Sequence, residues 1–313
     1  MKQRVLTFDG RALGRGSLEA PGRLRWASWH PSGHHALVAG DSGTLITYGE
    51  GHPRAVKSGT AVNLRCAEYS PDGALAYACG NDGMILRLSE AGAEPLDEGI
   101  HENLRRVAWE PSGKRALFVG NDGAAHLSSE AGFHIVHGAD THLRTVAWHP
   151  SGGYALVGGN CFRDSVGGLS PSPNLFVYRG NDLEMISTTA ESRADLIAAS
   201  WDPDASSCLL VGFDQTWHTP AVFSYRDDAL SQVVWGNENI FPTACAWHPS
   251  GEYALIGTSR MTPEEGATAL YKFDGRTFTK LEPLEGAGVS CIAWSKAGLA
   301  LIISSPSMRA FLA

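Results

Sequence analysis

Apolar positions along the chain fall in short runs suited to β-strands, with essentially no helical period. Leu104-Arg105-Arg106-Val107-Ala108-Trp109 alternates into an aromatic residue, Ala36-Leu37-Val38-Ala39 is apolar throughout, and Leu45-Ile46-Thr47-Tyr48 again has a strand's composition. A fixed punctuation separates the first kind of run from the second. In Trp29-His30-Pro31-Ser32-Gly33 the proline stands second and the glycine fourth in the turn, which suits a type I β-turn.

That phrase recurs. Tyr69-Ser70-Pro71-Asp72-Gly73, Trp109-Glu110-Pro111-Ser112-Gly113, Trp148-His149-Pro150-Ser151-Gly152 and Trp247-His248-Pro249-Ser250-Gly251 are close copies. Trp201-Asp202-Pro203-Asp204 and Trp294-Ser295-Lys296-Ala297-Gly298 are weaker ones. The seven aromatic anchors are spaced 40, 40, 39, 53, 46 and 47 residues apart, and a glycine follows eleven residues after each of the first five, at Gly40, Gly80, Gly120, Gly159 and Gly212. Each unit holds four strands: the run into the anchor, an apolar run, a third run after a Gly/Asp/Asn turn, and a fourth beyond a hairpin such as Phe273-Asp274-Gly275-Arg276. Four-stranded units of about 40–45 residues describe an all-β, seven-bladed β-propeller of antiparallel blades, one domain over 1–313. The last unit lacks strands, so N-terminal residues are expected to join the C-terminal blade and close the ring. Val5–Phe8 and Met308–Leu312 both fit its third place.

The second unit, from Tyr69-Ser70-Pro71-Asp72-Gly73 through Gly80-Asn81-Asp82-Gly83 to Leu88, resembles a WD40 repeat, and the resemblance extends over nearly the whole chain. It is a divergent one. The Gly-His that opens such repeats is missing, and the Trp-Asp that closes their third strand is replaced at Tyr48, Leu88, Ser128, Tyr178, Tyr225 and Phe273. The resemblance implies a propeller that serves as a scaffold for protein partners, without the family's buried hydrogen-bond tetrad.

Composition narrows the function. Glycine, 36 of 313 residues, fits a turn-rich chain, and 43% hydrophobic against 19% charged residues exclude a disordered one. A net charge of −8 without a basic run argues against nucleic acid and anionic membranes as partners. No apolar run reaches the roughly 20 residues of a membrane helix. The six cysteines (66, 79, 161, 208, 245, 291) form no CxxC pair and mostly lie in apolar runs, which suits a reduced, cytoplasmic chain with buried thiols.

Function is sought where the chain departs from its own repeat. Units four, five and six carry extra residues between strands two and three: Asn160-Cys161-Phe162-Arg163-Asp164-Ser165-Val166 onward, Phe213-Asp214-Gln215-Thr216-Trp217-His218, and Ser259-Arg260-Met261-Thr262-Pro263-Glu264-Glu265. These inserts fall on consecutive blades and on one face, here called the top, although loop drift also produces such lengths. Three tryptophans, Trp26, Trp217 and Trp235, are not anchors and map at or near the same face; Trp26 also suits a wedge between blades. Four residues before the anchor stand Arg25, Arg65, Arg105 and Arg144 in units one to four, against Ile197, Thr243 and Ser290 in units five to seven. An arginine arc on the channel rim suits a carboxylate, phosphate or acidic segment. Alternatively each pairs with a turn aspartate, Asp41, Asp82 or Asp122.

Other candidates reduce to architecture. His30, His149 and His248 precede the turn proline and read as turn residues rather than metal ligands. Asn81-Asp82-Gly83 and Asn121-Asp122-Gly123 lack calcium-loop spacing and read as turns. His218, Asp164, Glu264 and Glu265 have no spacing that enforces catalysis, and no GxSxG, HExxH, P-loop or zinc motif is present. The sequence therefore points to a monomeric, non-enzymatic interaction module without cofactor or metal. Its binding residues would be Arg25, Arg65, Arg105, Arg144, Phe162, Arg163, Asp164, Trp217, His218, Trp235 and Arg260, gripping a protein partner through the top face. The alternative is a propeller hydrolase, lyase or cyclase acting on a small anionic ligand at that face.

Overall fold

Each anchor phrase is a turn that joins the first strand of a blade to the second. In the first, Gly33 N–H donates to the His30 carbonyl at 2.8 Å and His30 N–H to the His35 carbonyl at 2.8 Å. The glycine takes a φ of +77°, which few other residues adopt. The strands so joined form seven four-stranded antiparallel sheets, the blades of a propeller. The computed structural model describes all residues except 1, 50–51, 161–174, 187–193, 215–218, 236–239, 260–267, 285–287 and 306–313.

Blade one runs Leu24–Trp29, His35–Gly40, Leu45–Gly49 and His52–Ala55 from the channel outward. The first strands of blades two to six are Leu64–Tyr69, Leu104–Trp109, Leu143–Trp148, Ala194–Trp201 and Phe241–Trp247. Blade seven is built from both ends of the chain: Gly288–Trp294 and Ala300–Ser305, then Lys2–Phe8 and Leu13–Glu19. The N-terminal strand takes the third place, with Val5 opposite Ile303 and Phe8 opposite Ala300. The rival segment 308–312 lies outside the described residues. No helix among the described residues is long and apolar enough to cross a membrane.

The core is distributed between blades. Leu37, Ala39 and Leu45 of blade one pack with Leu64, Ala67 and Ala78 of blade two, and equivalent clusters fill the other seams. Five of the six anchor tryptophans also latch their blade to the one before. The indole N–H of Trp109, Trp148, Trp201 and Trp294 donates to the carbonyl of Glu68, Ala108, Ala147 and Ala246, at 3.0–3.2 Å. Trp29 donates at 3.0 Å to Ala293, so the same latch spans the seam between the first and last blades. Sequence alone assigned these rings only to packing.

The turn histidines have a structural role. Nδ1 of His30, His149 and His248 lies 2.6–2.7 Å from the serine hydroxyl two residues on, and each ring stands edge-on against the next blade's anchor ring, Tyr69, Trp201 or Trp294. Cys66, Cys79, Cys208, Cys245 and Cys291 are free thiols buried in strands; Cys161 lies outside the described residues.

One irregularity repeats in every blade and positions the site. Pairing of the first two strands slips by one residue between Leu24 and Trp26, and at the same place in all six other blades. The extra residue is a β-bulge, which turns its side chain out of the regular alternation. In chain order the bulge residues are Arg25, Arg65, Arg105, Arg144, Ile197, Thr243 and Ser290. The glycine eleven residues after the anchor lies against this irregularity: a Cβ on Gly40, Gly80 or Gly120 would come within 2.2–2.3 Å of the carbonyl oxygen of Arg23, Asn63 or Asn103.

Candidate functional site

The bulge converts a strand position into a channel position. Arg25, Arg65, Arg105 and Arg144 converge with Arg106, Ile197 and Ser290 around a cavity of about 50 Å³ at the channel mouth. Each of the four is oriented through its Nε by the residue after the repeat glycine. Arg25 meets Asp41 by two parallel bonds, Nε to Oδ1 at 2.8 Å and Nη2 to Oδ2 at 2.9 Å. Arg65, Arg105 and Arg144 donate to the side-chain oxygens of Asn81, Asn121 and Asn160, at 2.8, 3.0 and 2.7 Å. The aspartate alternative therefore holds in blade one alone. In blades two and three the asparagine takes the arginine. Asp82 and Asp122 sit one residue further on at φ +54° and +56°, their N–H groups donating to Asn103 Oδ1 and His142 Nδ1 across the seam.

The difference between Asp and Asn is electrostatic. A carboxamide orients a guanidinium without neutralising it, so charge accumulates at the mouth. Burial, then repulsion from Arg25 and Arg105, pulls Arg65 down to about 10; burial, then Arg144, Arg106 and Arg25, does the same to Arg105. Arg144 is also lowered by burial, with Asp195 opposing the shift. Its Nη1 is buried and makes no hydrogen bond among the described residues.

The arc ends where bulge residue and partner change together. Blade five has Ile197 at the bulge and Phe213 in the Asp/Asn place, both buried with Phe241. Phe213 and Phe241 meet edge to face at 5.7 Å. Beyond it Thr243 donates to the Val289 carbonyl at 2.6 Å, and Ser290 to that of Ile303 at 3.2 Å. The mouth is thus cationic over blades one to four and apolar or hydroxyl-lined over five to seven.

Below the mouth the channel widens to a chamber of about 320 Å³, which shares Arg106 and Ser290 with it. Trp26 lies in its wall, donating from Nε1 to Glu68 Oε1 at 2.6 Å. The Arg106 guanidinium stands 4.2 Å over the Trp26 ring and donates from Nη1 to the Arg105 carbonyl at 2.9 Å. Enclosure raises the Glu68 carboxyl to about 7, against opposing hydrogen bonds from Ser28 and Trp26 and the charge of Arg106.

Of the residues expected at the site, Arg25, Arg65, Arg105 and Arg144 are brought together. Trp235 is not a wall of this mouth: it is buried in the seam between blades five and six, stacked on Phe278 at 4.4 Å and edge-on to Tyr271. Phe162, Arg163, Asp164, Trp217, His218 and Arg260 lie outside the described residues. Arg106 and Glu68 were missed; the doublet Arg105-Arg106 was the available signal, because a bulge at the first residue sends both side chains to one side. Among the described residues no three His, Cys, Asp or Glu side chains come together as a metal site. No protein-family model matches the sequence, and no curated protein matches it.

Proposed function

We propose that this chain is a divergent WD40-like interaction module that does no chemistry, and that the arginine mouth receives an anionic group of a protein partner docked on the top face. The observation that carries the reading is the arc itself. Four guanidiniums occupy the one irregular position of their blades, and three are oriented by neutral carboxamides. Gathering like charges costs folding stability, and a bound carboxylate or phosphate offsets that cost through charge-assisted, bidentate hydrogen bonds. Blade four joins this arc to the first long insert through Asn160, so one partner can span both.

The test is quantitative affinity capture from native lysate with the wild type, with Arg65→Gln/Arg105→Gln, and with His149→Ser on the opposite face. The reading expects the arginine pair to lose the captured partner at least tenfold and His149→Ser to keep it within about twofold. Equal losses would reject it. A catalytic alternative draws on one observation, the Glu68 carboxyl held near 7 in a chamber beside Arg106. It requires Glu68→Gln to abolish a turnover while leaving binding intact.

A further inference from the structure

The mouth and the chamber differ in character and share two residues, Arg106 and Ser290. Above Arg106 the lining over blades one to four is guanidinium; below it Val107, Ala108, Val146, Ala198, Ala244 and Ile292 line blades three to seven, beside the hydroxyls of Thr145, Thr243 and Ser290. The chamber reaches Tyr69 and Pro71, residues of blade two's bottom turn, so it extends toward the face opposite the arginines. Its volume of about 320 Å³ is that of a small-ligand pocket, within the usual range of about 300–1,000 Å³. The mouth, at about 50 Å³, has room for an anionic head and for little else.

Two buried donor atoms of residues that line the mouth make no hydrogen bond among the described residues: Arg106 Nε and Arg144 Nη1. Buried guanidinium donors left unmet are costly, and both belong to side chains lining the mouth. The Trp26 ring holds the Arg106 guanidinium from one side while Glu68 fixes the indole, so Arg106 is braced at the boundary of the two spaces. The one carboxyl among the chamber's lining residues, Glu68, is occupied by its bond from Trp26 and belongs to the wall rather than the mouth.

We propose that the channel binds a small amphiphilic carboxylate, its head on Arg106, Arg144 and their neighbours and its apolar body in the chamber. This rests on the reading that the arginines receive an anion, and it adds a second determinant, the apolar body, which a docked acidic segment does not need. Charge complementarity selects the head, and the Ala/Val/Ile wall selects the tail.

The experiment titrates the intact wild-type chain with acetate, butanoate, hexanoate and octanoate by calorimetry. Hexyltrimethylammonium supplies the same kind of tail with the opposite charge. Burying successive methylenes should tighten binding about two- to fourfold each, until the chamber is full. The cation should bind at least tenfold more weakly than hexanoate. Arg106→Gln and Arg144→Gln should each weaken every carboxylate by a similar factor, and Ala108→Met should flatten the chain-length series without changing acetate. A series flat from acetate to octanoate in the wild type overturns the chamber proposal and leaves the anion reading of the mouth standing. Equal binding of the cation overturns it as simple hydrophobic uptake. Absence of binding by every carboxylate and by inorganic phosphate overturns both.

Discussion

Replacing Arg105 by Met tests whether the arc is held for function at the expense of stability. Arg105 is 6% exposed, and its guanidinium is pulled from 12.5 to about 10, chiefly by burial and then by Arg144, Arg106 and Arg25. A basic group with a lowered folded pKa binds its proton less tightly in the native chain than in the unfolded one. Its charge therefore destabilises the fold at every pH below about 10, and the effect fades only as pH rises through that value. The full shift corresponds to about 3 kcal/mol, and water in the channel should reduce the realised cost to about half. Met keeps the apolar stem but loses the 3.0 Å bond to Asn121, worth about 1 kcal/mol. The net expectation is that Arg105→Met is more stable than wild type by about 0.5–1 kcal/mol at low salt. Unfolding entropies of about 2.1 cal/mol/K per residue convert this into roughly 0.8–1.5 °C. Scanning calorimetry in low-salt buffer, with and without added phosphate, measures it: phosphate should stabilise the wild type and help the variant less. A variant more than about 1 kcal/mol less stable, or one that gains as much from phosphate as wild type, would show that Arg105 is a structural tie.

Three further outcomes follow from particular contacts. Glu68 is raised from 4.5 to about 7, so the folded chain holds that proton more tightly; this stabilisation is complete below about pH 4.5 and is lost between there and 7, a fall of about 1–3 kcal/mol that urea unfolding of Glu68→Gln should not show. A variant with the wild-type slope would assign it to another group. Trp148→Phe removes the indole bond to Ala108 whereas the buried Trp247 Nε1 has no such bond among the described residues, so urea midpoints should place Trp148→Phe about 1 kcal/mol below Trp247→Phe. Burial raises Cys66, Cys208 and Cys245 and takes Cys291 to about 12, so mild alkylation read by mass spectrometry should leave these silent and label Cys161 first. Labelling of Cys245 or Cys291 in folded protein would contradict their place in the seams.

What the sequence disclosed follows the range of the interactions involved. The Trp-His-Pro-Ser-Gly turn is local chemistry, and a blade repeats because each sheet has the same neighbours, so seven blades were countable from anchors alone. Closure by Lys2–Phe8 over 308–312 was not readable, because two apolar segments compete for one edge and the choice lies in packing against Leu301 and Ile303. The arginine arc was visible as an exception to the repeat, but the bulge that aims it is a relation between two strands and has no signature in either. Trp235 was misplaced because its partner Phe278 is 43 residues away and nothing in the connecting segment fixes a register. Asp82 and Asp122 lost the arginines to Asn81 and Asn121 because each turn commits the aspartate backbone to the next blade.

The bulge also explains how this position can differ between blades. Other side chains of the first strand enter a seam, as Leu64 and Leu104 do, line the chamber, as Ala108 and Val146 do, or share a blade-to-blade contact, as the anchors do, and changing a seam or anchor residue requires a matching change next door. A bulge residue leaves the ladder, and its identity is coupled chiefly to the residue after the repeat glycine. The chain shows both states of that coupling: Arg with Asp or Asn in blades one to four, and Ile197 with Phe213 in blade five. A pair that switches as a unit, in a ring whose seams are fixed by packing, allows the mouth to be recomposed blade by blade without refolding the propeller. The cationic half and the apolar half are two settings of one position. Exchanging blade five's pair for arginine and asparagine should extend the arc by one guanidinium while leaving the seven blades intact.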